Sequence, residues 1–79
     1  MLSEMLSGNR VVGAKQSRRM ILDGSARQVF LASDAAPALT APLLQLCRQA
    51  SVPVRTDCTM QELGQAAGIH VGASVVTLL

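Results

Sequence analysis

In Arg10-Val11-Val12-Gly13-Ala14-Lys15-Gln16-Ser17-Arg18-Arg19, two β-branched residues are followed by a glycine and then by a polar, cation-rich segment. The β-branched pair favours a short strand over Arg10-Val11-Val12, and Gly13 breaks it. Lys15 to Leu22 then has helical character up to the turn at Asp23-Gly24, with Gly24 a plausible C-terminal cap. A strand that feeds a helix through one glycine is the first half of an α/β unit. At about 100° per residue, Lys15, Gln16, Arg18 and Arg19 share one side of that helix. Ser17, Met20, Ile21 and Gly24 form a narrow opposite face for a sheet. The helix is thus expected to dock on one side and offer cations on the other. A glycine before a helix permits a tight turn, and it also lets a ligand backbone approach the first-turn N–H groups, where the helix dipole favours an anion such as phosphate.

Outward from this stretch, Leu2 to Leu6 reads as a short helix closed by Gly8, with Gly8-Asn9 as the turn into the first strand. Downstream, Gln28-Val29-Phe30-Leu31-Ala32 is an apolar run bounded by Ser33-Asp34, which predicts a buried strand. A helix begins between Pro37 and Ala41, runs through Leu43, Leu46, Cys47 and Ala50, and is ended by Pro53. Val54-Arg55-Thr56 predicts a further strand. Thr59-Met60-Gln61-Glu62 matches a capping box, so the next helix starts at Met60 and stops at Gly68. A loop over Ile69-His70-Val71-Gly72 leads to a last strand from Ala73 to Leu78. With no repeat, low-complexity tract or linker, residues 1–79 read as one α/β domain.

Composition narrows the function. A chain of 79 residues buries only roughly 60% of its unfolded surface, so its core must be dense. Hydrophobic residues at 49% and charged residues at 15% exclude a disordered tail. Net charge is only +2, but Arg10, Lys15, Arg18 and Arg19 cluster, and all basic residues except Lys15 are arginine, whose planar fork suits phosphate and guanine. Phe30 is the single aromatic and falls in a predicted buried strand, which argues against base-stacking platforms of the RRM or OB kind. Cys47, Cys58 and His70 match neither a zinc nor a redox spacing, so the thiols are expected to be buried and no metal, disulfide or cofactor is expected. His70, Asp34, Asp57, Glu62 and the cysteines form no adjacent nucleophile–base pattern, so the chain is not expected to be an enzyme. The longest apolar run, Val75 to Leu79, is broken by Thr77 and falls far short of the roughly 20 residues of a membrane span. Glu4 stands where a signal peptide carries positive charge, which makes the cytoplasm the expected location.

Val11-Val12-Gly13-Ala14-Lys15-Gln16-Ser17-Arg18-Arg19 resembles the signature of the ribosomal protein L-seven-Ae family, whose members bind kink-turn RNA. Val29 to Pro37 and Val52-Pro53-Val54 are similar to the family's next strands. Met60 to Ala73 resembles its last helix and recognition loop, so the likeness spans roughly Leu2 to Leu78 in the family's order. In length and motif the chain is most similar to the short bacterial YbxF/YlxQ type. The resemblance implies a three-layer α/β/α sandwich with a small mixed sheet of about four strands. It also implies a grip on a sharply bent RNA internal loop, with sheared G·A pairs read from the helix start and a bulge from the last loop. Carried onto this chain, the guanine-reading positions are Gly13, Lys15, Gln16 and Arg19, with Ala14 and Arg18 in the same RNA-binding segment. The bulge loop is Ile69, His70 and Val71. Ile69 and Val71 also have an ordinary reading as packing residues, and His70 as a solvated loop histidine.

Lys15 and Gln16 stand where archaeal and eukaryotic members usually carry asparagine and glutamate. Lysine and arginine donate to guanine O6 and N7, whereas the neutral Gln16 accepts from guanine donors more weakly than a carboxylate. The partners so implied are structured RNAs of the kink-turn kind, ribosomal or riboswitch RNA among them, bound by a monomer. The alternative is a protein–protein interaction adaptor that uses the same fold and its apolar loop for docking.

Overall fold

A computed structural model describes residues 8–79 as β1 (Arg10–Val12), α1 (Ala14–Leu22), β2 (Gln28–Ala32), α2 (Pro37–Gln49), β3 (Val54–Cys58), α3 (Met60–Ala67) and β4 (Val75–Leu78). The helix expected at Leu2 to Leu6 lies outside the described residues. The four strands form one sheet in the order β1-β4-β2-β3. β4 is antiparallel to both β1 and β2, while β2 and β3 are parallel. It follows that β1, β2 and β3 all point one way and β4 alone points back.

The two central strands, β4 and β2, are buried along almost their whole length because both of their faces are covered. On one face, Phe30, Ala32 and Val76 pack with Leu63 and Ala67 of α3. On the other, Val29, Leu31 and Val75 pack with Ile21 of α1 and with Leu43 and Cys47 of α2. The register places Phe30 opposite Val76 and Leu31 opposite Val75, so each pair feeds a single core layer. This is the three-layer α/β/α sandwich with a mixed four-strand sheet that the family resemblance implied.

Boundaries shift where tertiary hydrogen bonds compete with local preference. β4 begins at Val75 and not at Ala73, because the Ala73 N–H is drawn to the Met60 carbonyl of α3 (3.0 Å). β3 runs on to Cys58, since its parallel partner β2 extends that far, although the register slips between Phe30 and Ala32. The capping box is present as read: the Thr59 side chain accepts from the Glu62 N–H, and the Glu62 carboxylate accepts from the Thr59 N–H. Gly68, at φ 79°, ends α3 in the left-handed conformation. Both cysteines are buried, and desolvation first of all pushes their thiols above the ordinary value, which leaves them neutral.

Candidate nucleic-acid interface

Because β1, β2 and β3 are parallel, their C-terminal ends, the starts of the three helices and the entry into β4 all lie along one edge of the sheet. Three backbone bonds stitch that edge together. The Gly13 N–H donates to the Val75 carbonyl (2.9 Å), Ala32 to Ser74 (2.9 Å) and Ser33 to Cys58 (2.7 Å). The glycine-led start of α1 and the loop before β4, far apart in sequence, therefore sit side by side. In open α/β sheets the crevice beyond the carboxyl ends of the strands is where ligands bind.

At the start of α1, Gly13 adopts φ 109° and ψ 154°, a conformation that side chains rarely tolerate, and open space lies where its Cβ would be. No side chain caps the first-turn amides. Lys15, Gln16, Arg18 and Arg19 are exposed, and the three cations enter no salt bridge with another described residue. The inward face is narrower than the helical wheel suggests: Ser17 and Ile21 are buried, Met20 is half-buried and Gly24 is exposed. Ala14 packs against the core layer of α1 and α2, so it contributes backbone to the surface more than side chain. Arg10 leaves the basic cluster altogether, since its guanidinium donates to the Ala67 carbonyl at the end of α3 (2.8 Å).

The second half of the surface is the loop over residues 69–72. It is fastened to α3 by the Ile69 N–H, which donates to the Gly64 carbonyl (3.0 Å), and by the Ala73 N–H on Met60 (3.0 Å). Ile69 is half-buried and packs against the core on the α3 face, whereas His70 and Val71 are exposed. Beneath the loop lies a cavity of about 390 Å³ lined by Asp34, Met60, Gln61 and Gln65 together with Ile69, His70, Val71 and Gly72. Asp34 reaches across from the β2–α2 turn, and its Oδ1 accepts from the Met60 N–H (2.8 Å), adding a second cap to α3. Sequence reasoning took Asp34 only for a turn residue and missed both glutamines. The four-residue spacing of Gln61 and Gln65 was the available signal, since it stacks them on one face of the helix. Among the described residues no cluster of histidine, cysteine and carboxylate side chains is suited to a metal ion, and no helix is long and apolar enough to cross a membrane.

Residues 3–79 match the Ribosomal protein L7Ae/L30e/S12e/Gadd45 family. The chain belongs to that family. It is 37% identical over 73 residues to an RNA-binding protein of Geobacillus sp. (strain WCH70), covering 92% of this chain and 89% of the relative. It is 36% identical, with the same coverage, to the RNA-binding protein YbxF of Geobacillus stearothermophilus. Among solved structures, the Giardia lamblia 15.5kD RNA binding protein superposes with a TM-score of 0.84 at 25% identity, covering 96% of this chain and 63% of that one. A protein of unknown function from Bacillus halodurans C superposes with a TM-score of 0.80 at 29% identity, covering 87% and 69%. Membership in the L7Ae family and this layered sheet agree with what the two motifs implied, and short bacterial RNA-binding proteins are among the chain's relatives.

Proposed function

We propose that this protein is a non-catalytic RNA-binding protein that grips a sharply bent, kink-turn type internal loop. The observation that carries the reading is the convergence of two surfaces on one sheet edge: the uncapped, cationic start of α1 and the exposed tip of the 69–72 loop above its cavity. The names of its relatives in Geobacillus and Giardia support the same class of ligand. In this arrangement Gly13 and Ala14 admit the RNA backbone, Lys15, Gln16 and Arg19 reach base edges, and Arg18 meets phosphate. Ile69, His70 and Val71 frame a bulged nucleotide, with Ile69 serving as the packed base of the loop and Val71 as its tip. The protein selects the kinked form over the open one, and binding holds the RNA in its bend. Ribosomal RNA and riboswitch RNA both contain loops of this shape, and either fits the proposal. A monomer in the cytoplasm suffices for it.

The test is a titration of a kink-turn RNA and a straight duplex of matched composition at rising salt. Tighter binding to the kink-turn, with affinity falling steeply as salt rises, is the expected result, because each neutralised phosphate releases counterions. Equal binding to both RNAs overturns kink-turn recognition. No RNA binding at all, with salt-insensitive capture of a protein partner, would point instead to an adaptor that docks through its apolar loop.

A further inference from the structure

Gly64 is buried in the middle of α3, and its backbone is helical, so no unusual dihedral calls for glycine there. Alanine is the better helix former at such a position. Space gives the reason. A Cβ at Gly64 would run into the Val71 carbonyl oxygen, and it would come within 3.1 Å of both the Val71 carbonyl carbon and the Gly72 Cα. A Cβ at Gly72 would likewise stand 3.2 Å from the Met60 Cβ at the start of α3. The obstacle at Gly64 is backbone, which cannot swing aside as a flexible side chain would. The loop is also held at both ends, by Ile69 on Gly64 and by Ala73 on Met60. Any group added at Gly64 must therefore lift the tip between those anchors. With its carbonyl resting on α3, Val71 is left 71% exposed beside the cavity.

We infer that Gly64, with Gly72 behind it, is a positioning residue for RNA recognition: it seats the Val71 carbonyl on α3 and so sets the height and direction of the Val71 side chain. The inference rests on the RNA reading above. Helix stability is given up at Gly64 in exchange for a close approach of loop to helix, and the close approach is what presents the tip.

The experiment compares wild type, Gly64→Ala and Gly72→Ala on a synthetic kink-turn RNA and on the same RNA made abasic at the bulge. Amide hydrogen exchange at Ile69 and Ala73 is followed in the free proteins. Gly64→Ala is expected to lose on the order of tenfold or more in affinity for the intact RNA, to bind the abasic RNA as wild type does, and to exchange faster at both amides. Gly72→Ala, with the looser contact, should show the same pattern more weakly, and it decides the matter if Gly64→Ala does not fold. Unchanged affinity for the intact RNA overturns the inference. So does an equal loss on both RNAs, which would make the effect a general one on the fold. Failure of the RNA reading itself shows in the wild type alone, as indifference between kink-turn and straight duplex, and takes the inference with it.

Discussion

Val71 is 71% exposed while Val75 and Val76, a few residues on, are sealed from solvent, so identical side chains serve opposite ends within one short stretch. Exposure makes Val71 replaceable as far as folding goes, since surface substitutions usually shift stability by no more than about 0.5 kcal/mol. Val71→Asp should therefore leave the thermal melt in place and abolish tight kink-turn binding, through the lost apolar contact and the repulsion between carboxylate and phosphates. A collapsed melt would make Val71 a core residue, and retained affinity would remove it from the interface. On α1, Lys15 and Arg19 are exposed and form no salt bridge with a described residue. Replacing both with alanine should cost about 1–3 kcal/mol per lost base contact in RNA affinity, measured by titration, with the folded circular dichroism spectrum unchanged. Wild-type affinity in that double variant would sink the proposed role of the helix start. Arg10 belongs to the same basic stretch of sequence but caps α3, which is why counting cations along the chain overstates the patch.

At the scale of elements, the two helix starts that flank the site are built differently. α1 begins at Gly13 with no side-chain cap and stays open, whereas α3 is closed by the Thr59–Glu62 capping box and by Asp34 on the Met60 N–H. An open start is available to an anion, and a closed one anchors the loop that follows the helix. Thr59→Ala should lower stability by about 0.5–2 kcal/mol, read from denaturant midpoints, because the Glu62 N–H loses its acceptor. Asp34 still holds Met60 in that variant, so α3 keeps its place and intrinsic RNA affinity should not change. An unaltered midpoint would show that the cap contributes nothing in this fold.

For the molecule as a whole, small size leaves little margin. At roughly 0.05–0.15 kcal/mol per residue, a chain of this length is stable by only about 4–12 kcal/mol. Phe30 is fully buried and lies at the centre of the α3-side core with Leu63 and Val76. Truncating such a residue costs about 3–5 kcal/mol, a large part of the total. Phe30→Ala is thus expected to shift the denaturation midpoint far down or to unfold the chain at ambient temperature, and a melt near that of wild type would contradict the packing described. The same layer carries α3 and the packed side chain of Ile69, so loss of this core should also loosen the recognition loop, visible as faster amide exchange at Ile69.

Much of this was legible in the chain itself, because the signals are local. Gly13 before a cationic helix, the Thr59–Glu62 box, Gly68 at a helix end and the apolar run of β2 each act within a few residues, and each stands where it was read. The spacing of Lys15, Gln16, Arg18 and Arg19 was enough to put them on the solvent side of α1. The two-residue period of a strand states which face a side chain takes but not which strand lies beside it. Only the tertiary structure placed β4 between β1 and β2, and that order is what sets Gly13 against Val75 and so brings the start of α1 next to the 69–72 loop. The cavity under that loop, Asp34 on α3, Arg10 on Ala67 and the Val71 carbonyl over Gly64 likewise join residues distant in the chain. Contacts of that kind arise when separate elements pack, and local propensity carries no record of them.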